Sequence, residues 1–529
     1  MLPIYSWWKL PYYYVGAKVY DFLAGGQALE SSYFLSKTKA VEKFPMLKPD
    51  GLKGAIVYYD GQHNDARMNI SLVLSAAANG AMVANHVKVI SLIKDTSSKV
   101  VGVRVKDMLS GEEWNIYAKG VVSAIGPFAD SLRKMDNPNI QTIVTPSTGV
   151  HVVLPSYYGP SNMGLLDPET TDDRLLFFLP WQKHVIVGTT DVASEVTTDP
   201  QPTEKEISFI LNEIQVYLNP GIKIRRGDVL AAWSGLRPLV RDPTKPSSQE
   251  LARSHVVEVS ESNMISVAGG KWTTYRAMAS DTVDQAIKSF DLRPQGNCRT
   301  ETCLLVGSHN YNSLDSIKLA QQFGFDPEVA QHLSESYGDR AFDVAMLSNK
   351  TGLKFPILGK RLSPQYPYIE AEVKYATEVE FARTITDVLA RRTRLCFLNA
   401  IAAKEAIPKV ADIMGSTLNW TKEEREKQIK DAKKYLKTMG LSQDRSKYNH
   451  NQVVSLREVF DACDLNKDGT LSEKELYFAI TSVGASITSE EFQKILKNSE
   501  IESKEIGEYD FLTYLNLMDL VEREGGAEG

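Results

Sequence analysis

Residues 264–276 read MISVAGGKWTTYR, and the fold turns on this stretch. MISVAGG is a strand running into a glycine pair, and the spacing predicts a helix beginning near Thr273. Gly269 and Gly270 let the backbone approach a ligand closely. The N–H groups near Thr273 and Thr274 then point at electron-rich atoms, and Lys271 adds a positive charge. In isolation the same letters describe a tight β–α connection with a solvated lysine, so the neighbouring sequence has to decide.

Toward the N-terminus, residues 147–268 carry β-rich patterning in GVHVVLP, RLLFFLP, HVIVGTTD, VLAAWSGL and HVVEVS. One helix interrupts it, TEKEISFILNEIQVYL, opened by the capping box Thr203 and Glu206. Further back, KGVVSAI reaches Gly126-Pro127 and then the helical FADSLRKM. Residues 54–59, GAIVYY, form a strand that passes through a polar turn into DARMNISLVLSAAANGA, a helix ending at Gly80. Toward the C-terminus, Pro294, Gly296 and Asn297 mark a linker. Helical patterns follow, among them PEVAQHLSESYG and FARTITDVLARRTRLCFLN. A second linker, LSQDRSKYNHNQ, leads into an acidic tail. The expected organisation is an α/β domain with a mixed β-sheet over 1–295, an α-helical domain over 300–440 and a paired helix–loop–helix over 450–529.

A chain of 529 residues is long enough for several cores. Its net charge of −6 is uneven: residues 451–529 hold 17 acidic and 7 basic side chains, leaving a mildly basic body. That balance argues against a nucleic-acid partner. Cys298, Cys303, Cys396 and Cys463 form no CxxC pair, which points to a reducing compartment and no zinc site. No apolar run reaches membrane-span length, and the first residues are neither a signal nor a transit peptide. Trp7, Trp8, Tyr12, Tyr13 and Tyr14 suit a bilayer interface. Packing on the protein's own core or on a partner is the preferred alternative.

Residues 464–475, DLNKDGTLSEKE, form an EF-hand loop. Asp464, Asn466 and Asp468 take ligand positions 1, 3 and 5, and Gly469 the sharp turn. Thr470 offers its carbonyl, Ser472 the position commonly bridged by water, and Glu475 a bidentate carboxylate. That set fits Ca2+. A second loop is degenerate: aligning Ile506 with Leu471 puts Ser499, Ile501 and Ser503 in ligand places and Lys504 where glycine is needed.

Three further side chains are candidates for chemistry. Arg237 in SGLRPLV and Arg253 in QELARSHVV offer forked guanidinium groups suited to a phosphate dianion. Each read alone is as well a surface ion-pair partner. His151, mid-strand in GVHVV, is either a hydrogen-bonded core residue or a base, since imidazole titrates near neutrality.

GAIVYYDGQHNDARMN, GVHVV, FLPWQ, VGTTD, GDVLAAWSGLRPLV, AGGKWTTYR and EAEVKYA occur together and in order. In this the chain resembles the animal mitochondrial flavin-linked glycerol-3-phosphate dehydrogenases from about residue 1 to 440, a family that also carries C-terminal EF-hands. The resemblance implies FAD as cofactor, glycerol 3-phosphate as substrate and ubiquinone as electron acceptor, at the inner mitochondrial membrane surface. A homodimer is compatible with it. It also implies Arg237 and Arg253 as substrate-site arginines, His151 as acceptor of the C2 hydroxyl proton, and Lys271 beside flavin and substrate oxygen. Gly126, Gly269, Gly270, Thr273 and Thr274 are then flavin contacts made largely through backbone.

The chain departs from that family in two places. It contains no G-x-G-x-x-G strand–turn–helix unit, whose glycines bring a helix N-terminus to the pyrophosphate. At 123–126 it reads SAIG where relatives commonly have NATG, so Ser123 and Ile125 replace polar partners. The reading is therefore of an N-terminally incomplete enzyme, with low expectation of catalysis by this exact chain. The alternative is an inactive short form acting as a calcium-binding scaffold. A different member of the flavin amine-oxidase-like fold does not account for Arg237, Arg253 and an EF-hand in one chain.

Overall fold

The structure is a computed structural model. It describes residues 1–167, 176–188, 190–241, 254–440, 459–464, 468–482, 488–498, 508–510, 513–514 and 517–518. Met1–Leu441 is one compact unit and Ser442–Gly529 a second. The 1–295 and 300–440 stretches are therefore parts of one body.

In the first unit, β1 (Leu2–Ile4), β2 (Tyr33–Ser36) and β3 (Gly54–Val57) form a small antiparallel sheet with β3 central. β4 (Val87–Lys94), β5 (Val100–Asp107) and β6 (Glu113–Tyr117) form an antiparallel meander. β7 is only Val122–Ser123, shorter than KGVVSAI suggests. The main sheet contains β8 (Val144–Leu154), β9 (Leu165–Asp167), β10 (Leu176–Trp181), β11 (His184–Gly188), β12 (Val192–Ala193) and β13 (Ala231–Val240). β8 lies between β13 on one edge and β11 with β12 on the other. The last sheet joins β14 (His255–Val259) antiparallel to β15 (Ile265–Gly269), which runs parallel to β7.

Helices cover these sheets: α1 (Lys9–Ala24), α2 (Lys37–Lys43), α3 (Asp65–Ala78), α4 (Ala129–Asp136), α5 (Glu204–Tyr217) and α6 (Tyr275–Ser289). The capping box is present, with Thr203 N donating to Glu206 at 3.0 Å and Glu206 N to Thr203 Oγ1 at 3.3 Å. Ile207, Ile210 and Ile214 of α5 pack on Val150, Val152 and Leu154 of β8, all fully or almost fully buried. Because side chains alternate along a strand, Gly149 and His151 face the opposite side.

The C-terminal half of this unit is α-helical, with α7 (Asp315–Phe323), α8 (Pro327–Tyr337), α9 (Ala341–Met346), α10 (Glu370–Glu378), α11 (Leu395–Leu398), α12 (Ala400–Leu418) and α13 (Lys422–Leu436). FARTITDVLARRTRLCFLN is not one helix. It contains a π-helical turn, Asp387–Arg392, then Arg394 in left-handed conformation, then the short α11. The N-terminal aromatic run forms α1, none of whose residues is buried, so its expected packing on the protein's own core is not observed. No described helix is long and apolar enough to cross a membrane.

Candidate functional site

β8 and β13 pair antiparallel with Trp233 opposite His151 and Arg237 opposite Ser147. Directly opposed residues share a face, so His151 and Arg237 belong to the face turned away from α5. Two glycines make room for them. A Cβ at Gly188, opposite His151 on β11, would stand 2.5 Å from the imidazole Cδ2. A Cβ at Gly149 would stand 2.4 Å from Arg237 Nη2. Both side chains lie flat across neighbouring backbone, and any residue larger than glycine would push them out.

The Arg237 Nη1 donates to the Thr190 carbonyl and to Asp191 Oδ1, each at 3.1 Å. Thr190 itself is fastened, since Val150 N donates to its hydroxyl at 3.0 Å. His151 stacks on Trp233 at 5.7 Å between centroids, and Trp233 meets Trp181 at 5.9 Å. Burial, with the Arg237 charge second, lowers the His151 pKa to about 4. The imidazole is neutral at physiological pH and able to accept a proton.

The turn after β15 lies at the end of the same β13. Gly269 and Gly270 have φ of +78° and +76°, and a Cβ on Gly269 would meet Val240 at 2.5 Å. Trp272–Thr274 forms a 3-10 turn and α6 starts at Tyr275, two residues later than expected. The Thr274 hydroxyl donates to the Lys271 carbonyl at 2.9 Å, and Lys271 itself is exposed. β7 runs parallel to β15 and likewise ends at a glycine of positive φ, Gly126, before a turn and helix α4. Two parallel strands thus end in glycine turns that open helices at one edge, an arrangement that presents backbone N–H groups to a ligand. Gly126, Gly269, Gly270 and Thr273 lie on these turns, whereas the Thr274 N–H is already donated to the Lys271 carbonyl at 3.0 Å. The Ser123 hydroxyl is buried and has no hydrogen-bond partner among the described residues, at the position where relatives carry a polar asparagine. Arg253 lies outside the described residues.

The sequence reading passed over the 60–64 loop as a tie between elements. Trp272 donates its indole N–H to His63 Nε2 at 2.7 Å, and Gln62 donates to the Pro180 carbonyl at 3.1 Å. The loop therefore holds the Lys271 turn against the main sheet. Trp233, Asp191 and the clearing role of Gly149 and Gly188 were missed too. Only the GVHVV and VGTTD strings hinted at them, through a glycine two residues from the histidine and another before the Thr-Thr-Asp corner.

In the second unit, Asp464 Oδ2 accepts from Gly469 N at 2.9 Å, and Gly469 has φ of +84°. Asp468 accepts from Thr470 N, and Glu475 from Ser472 N, at 2.8 and 2.9 Å. Asn466 lies outside the described residues. Among the described residues no three His, Cys, Asp or Glu side chains are gathered around a common metal position. Thr470–Ser472 pairs antiparallel with Glu508–Asp510, and Tyr509 stands opposite Leu471. This corrects the alignment that put Ile506 there. Aligned on that pair, the sequence of the second loop puts Lys504, Ile506 and Thr513 against Asn466, Asp468 and Glu475 of the first, and residues 499–507 lie outside the described residues. It remains degenerate, though through different residues.

Residues 9–276 match the family model described as FAD dependent oxidoreductase. Residues 298–425 match the C-terminal domain of alpha-glycerophosphate oxidase. The chain is 46% identical to the mitochondrial glycerol-3-phosphate dehydrogenase of Macaca fascicularis, over 99% of this chain and 73% of the relative. It is 47% identical to the probable mitochondrial glycerol-3-phosphate dehydrogenase of Caenorhabditis elegans, over 96% and 72%. Among solved structures, the Bacillus halodurans glycerol-3-phosphate dehydrogenase complexed with FAD superposes with a TM-score of 0.65. Identity there is 28%, covering 77% of this chain and 80% of that one. The chain belongs to the family of FAD-dependent glycerol-3-phosphate dehydrogenases of the mitochondrial type.

Proposed function

We propose that this chain oxidises sn-glycerol 3-phosphate to dihydroxyacetone phosphate, with ubiquinone as final acceptor at the inner mitochondrial membrane and with calcium as regulator. The observation that carries the reading is the pairing of a neutral His151 with a backbone-anchored Arg237 on one cleared strand face. FAD, when bound, supplies the hydride acceptor for C2. His151 takes the C2 hydroxyl proton as the carbonyl forms. Arg237 and Arg253 hold the phosphate and adjacent oxygens, and Lys271 offsets negative charge developing on the substrate oxygen. The glycine turns at 126 and 269–270, with Thr273, hold the flavin largely through backbone, and Thr274 fixes the turn by donating to the Lys271 carbonyl.

Membrane attachment is supported by α1 and the residues just before it, where Trp7, Trp8 and Phe22 are 67%, 69% and 84% exposed beside Lys9 and Lys18. Rings with polar edges flanked by lysines suit a headgroup boundary. Calcium binding is supported by the oxygen set Asp464, Asn466, Asp468, Thr470, Ser472 and Glu475.

In FAD-loaded protein, Arg237→Ala should lower kcat/KM for glycerol 3-phosphate roughly ten- to a hundredfold, the worth of one charge-assisted contact pair. Steady-state kinetics check this, and unchanged efficiency removes Arg237 from the site.

A further inference from the structure

His151 is the middle residue of a row that crosses the main sheet. Gly188 on β11 stands opposite it on one side and Trp233 on β13 on the other. Residues opposed across antiparallel strands put their side chains on one face, close together. The imidazole leans over Gly188, where a Cβ would come within 2.5 Å of its Cδ2 and 3.0 Å of its Nε2. From the β13 side the Trp233 indole stacks on it at 5.7 Å between centroids, with 17° between the planes.

Four other histidines are oriented by an oxygen on a ring nitrogen. Asp387 holds His86 at 3.0 Å, the Gln182 carbonyl holds His184 at 2.9 Å, Asp281 holds His255 at 3.0 Å and Glu372 holds His332 at 2.7 Å. His151 has no such partner on either nitrogen among the described residues, and the plane of its ring is set by the indole and by the Gly188 backbone. A carboxylate on one nitrogen would orient the ring and also favour its protonation, whereas an indole face orients it without adding charge.

Trp233 is itself fixed by a distant part of the chain. Phe397 of α11 meets it edge-on at 5.0 Å and 82°, and Trp181 of β10 lies at 5.9 Å. Arg394, paired with Asp65 at 2.5 Å, stands over both of those rings, 4.5 Å from Phe397 and 5.6 Å from Trp181. Just beyond α11 the Ala400 N–H donates to the Leu230 carbonyl at 3.1 Å, directly before β13. The segment that carries Phe397 is thus tied through backbone to the strand that carries Trp233.

We propose that Trp233 is the positioning residue for His151, its indole holding the imidazole in the working orientation while Phe397, from the helical half, holds the indole. The inference rests on His151 being the base, as read above, and it gives the helical half a part in the reaction.

In flavin-loaded full chain, Trp233→Leu keeps apolar bulk and loses the flat face. It should lower kcat for glycerol 3-phosphate about tenfold or more and leave KM within about twofold, since Arg237 keeps its contacts to Thr190 and Asp191. Trp233→Phe, which keeps an aromatic face, should recover most of that loss, and Phe397→Leu should lower kcat several-fold with KM again unchanged. In flavin-free full chain carrying isotope-labelled histidine, the His151 ring signals should broaden in Trp233→Leu and in Phe397→Leu as the ring samples other rotamers. Parent-like kcat and sharp His151 signals in Trp233→Leu overturn the proposal, as does a kcat loss that Trp233→Phe does not relieve. If Trp233→Leu does not fold, the same two readouts on Phe397→Leu decide. His151→Gln separates this inference from the reading beneath it: a kcat loss there beside a parent-like Trp233→Leu refutes the positioning and keeps the base, whereas an unchanged kcat in His151→Gln refutes the base and the positioning with it.

Discussion

His151 is held neutral by its burial and by the Arg237 charge, and both have measurable consequences. Its pKa is lowered from 6.5 to about 4 on folding. The unfolded chain therefore binds more protons in this range, and the stability tied to His151 is present above pH 6.5 and lost as pH falls toward 4. The full loss is about 3 kcal/mol, from the shift at 1.36 kcal/mol per unit. His151→Gln should flatten the decline of the thermal midpoint between pH 6.5 and 4, and an unchanged slope would assign the acid sensitivity elsewhere. Removing the positive neighbour in Arg237→Gln should raise the His151 pKa, as read from its imidazole NMR titration. The acid limb of kcat/KM in flavin-loaded protein should move up in pH with it. Histidine and arginine were recognisable as candidates in the strings GVHVV and SGLRPLV. Their juxtaposition was not, because it depends on a strand register linking residues 86 positions apart and on two glycines that clear the space.

At the scale of elements, the first turns of α3 are tied to the helical region by a buried ion pair. Arg67 forms a two-pronged bridge with Glu380, stacks over Tyr337 at 4.2 Å and donates to the Ser336 carbonyl. Glu380→Ala leaves Arg67 buried and unpaired and should cost about 3–5 kcal/mol in denaturant unfolding. Replacing both partners, as Arg67→Met with Glu380→Leu, should cost less than the single change. α1 makes the opposite case, an element with an unburied apolar surface. Trp7→Ser with Trp8→Ser should lower partitioning onto anionic phospholipid vesicles several-fold in a sedimentation assay, and equal partitioning would rule the helix out as the membrane contact. Most elements were readable from periodicity because their apolar faces are buried on one side only. Residues 381–399 misled for a physical reason: helical spacing describes which side is apolar, whereas the π turn and the left-handed Arg394 arise from contacts of Arg391, Arg392 and Arg394 with Asp387, Glu380 and Asp65.

At the scale of the molecule, Ser442–Gly529 has its own core, in which Phe460, Leu471, Leu476, Phe492 and Tyr514 are fully or almost fully buried. Residues 445–529 should therefore fold alone and bind one calcium ion, with an affinity in the sensor range of about 10⁻⁷–10⁻⁵ M. Glu475→Gln should weaken that binding most, and calorimetry finding two tight sites or none would refute the assignment of one working loop. The order of motifs along the chain was enough to mark the oxidoreductase body and the helical half and to propose a calcium loop at 464–475, since glycine turns, capping boxes and ligand spacing are local chemistry. Folding alone decided which residues meet. It paired Leu471 with Tyr509 rather than Ile506 and brought His151 to Arg237 across β8 and β13, because strand register is a property of segments distant in sequence.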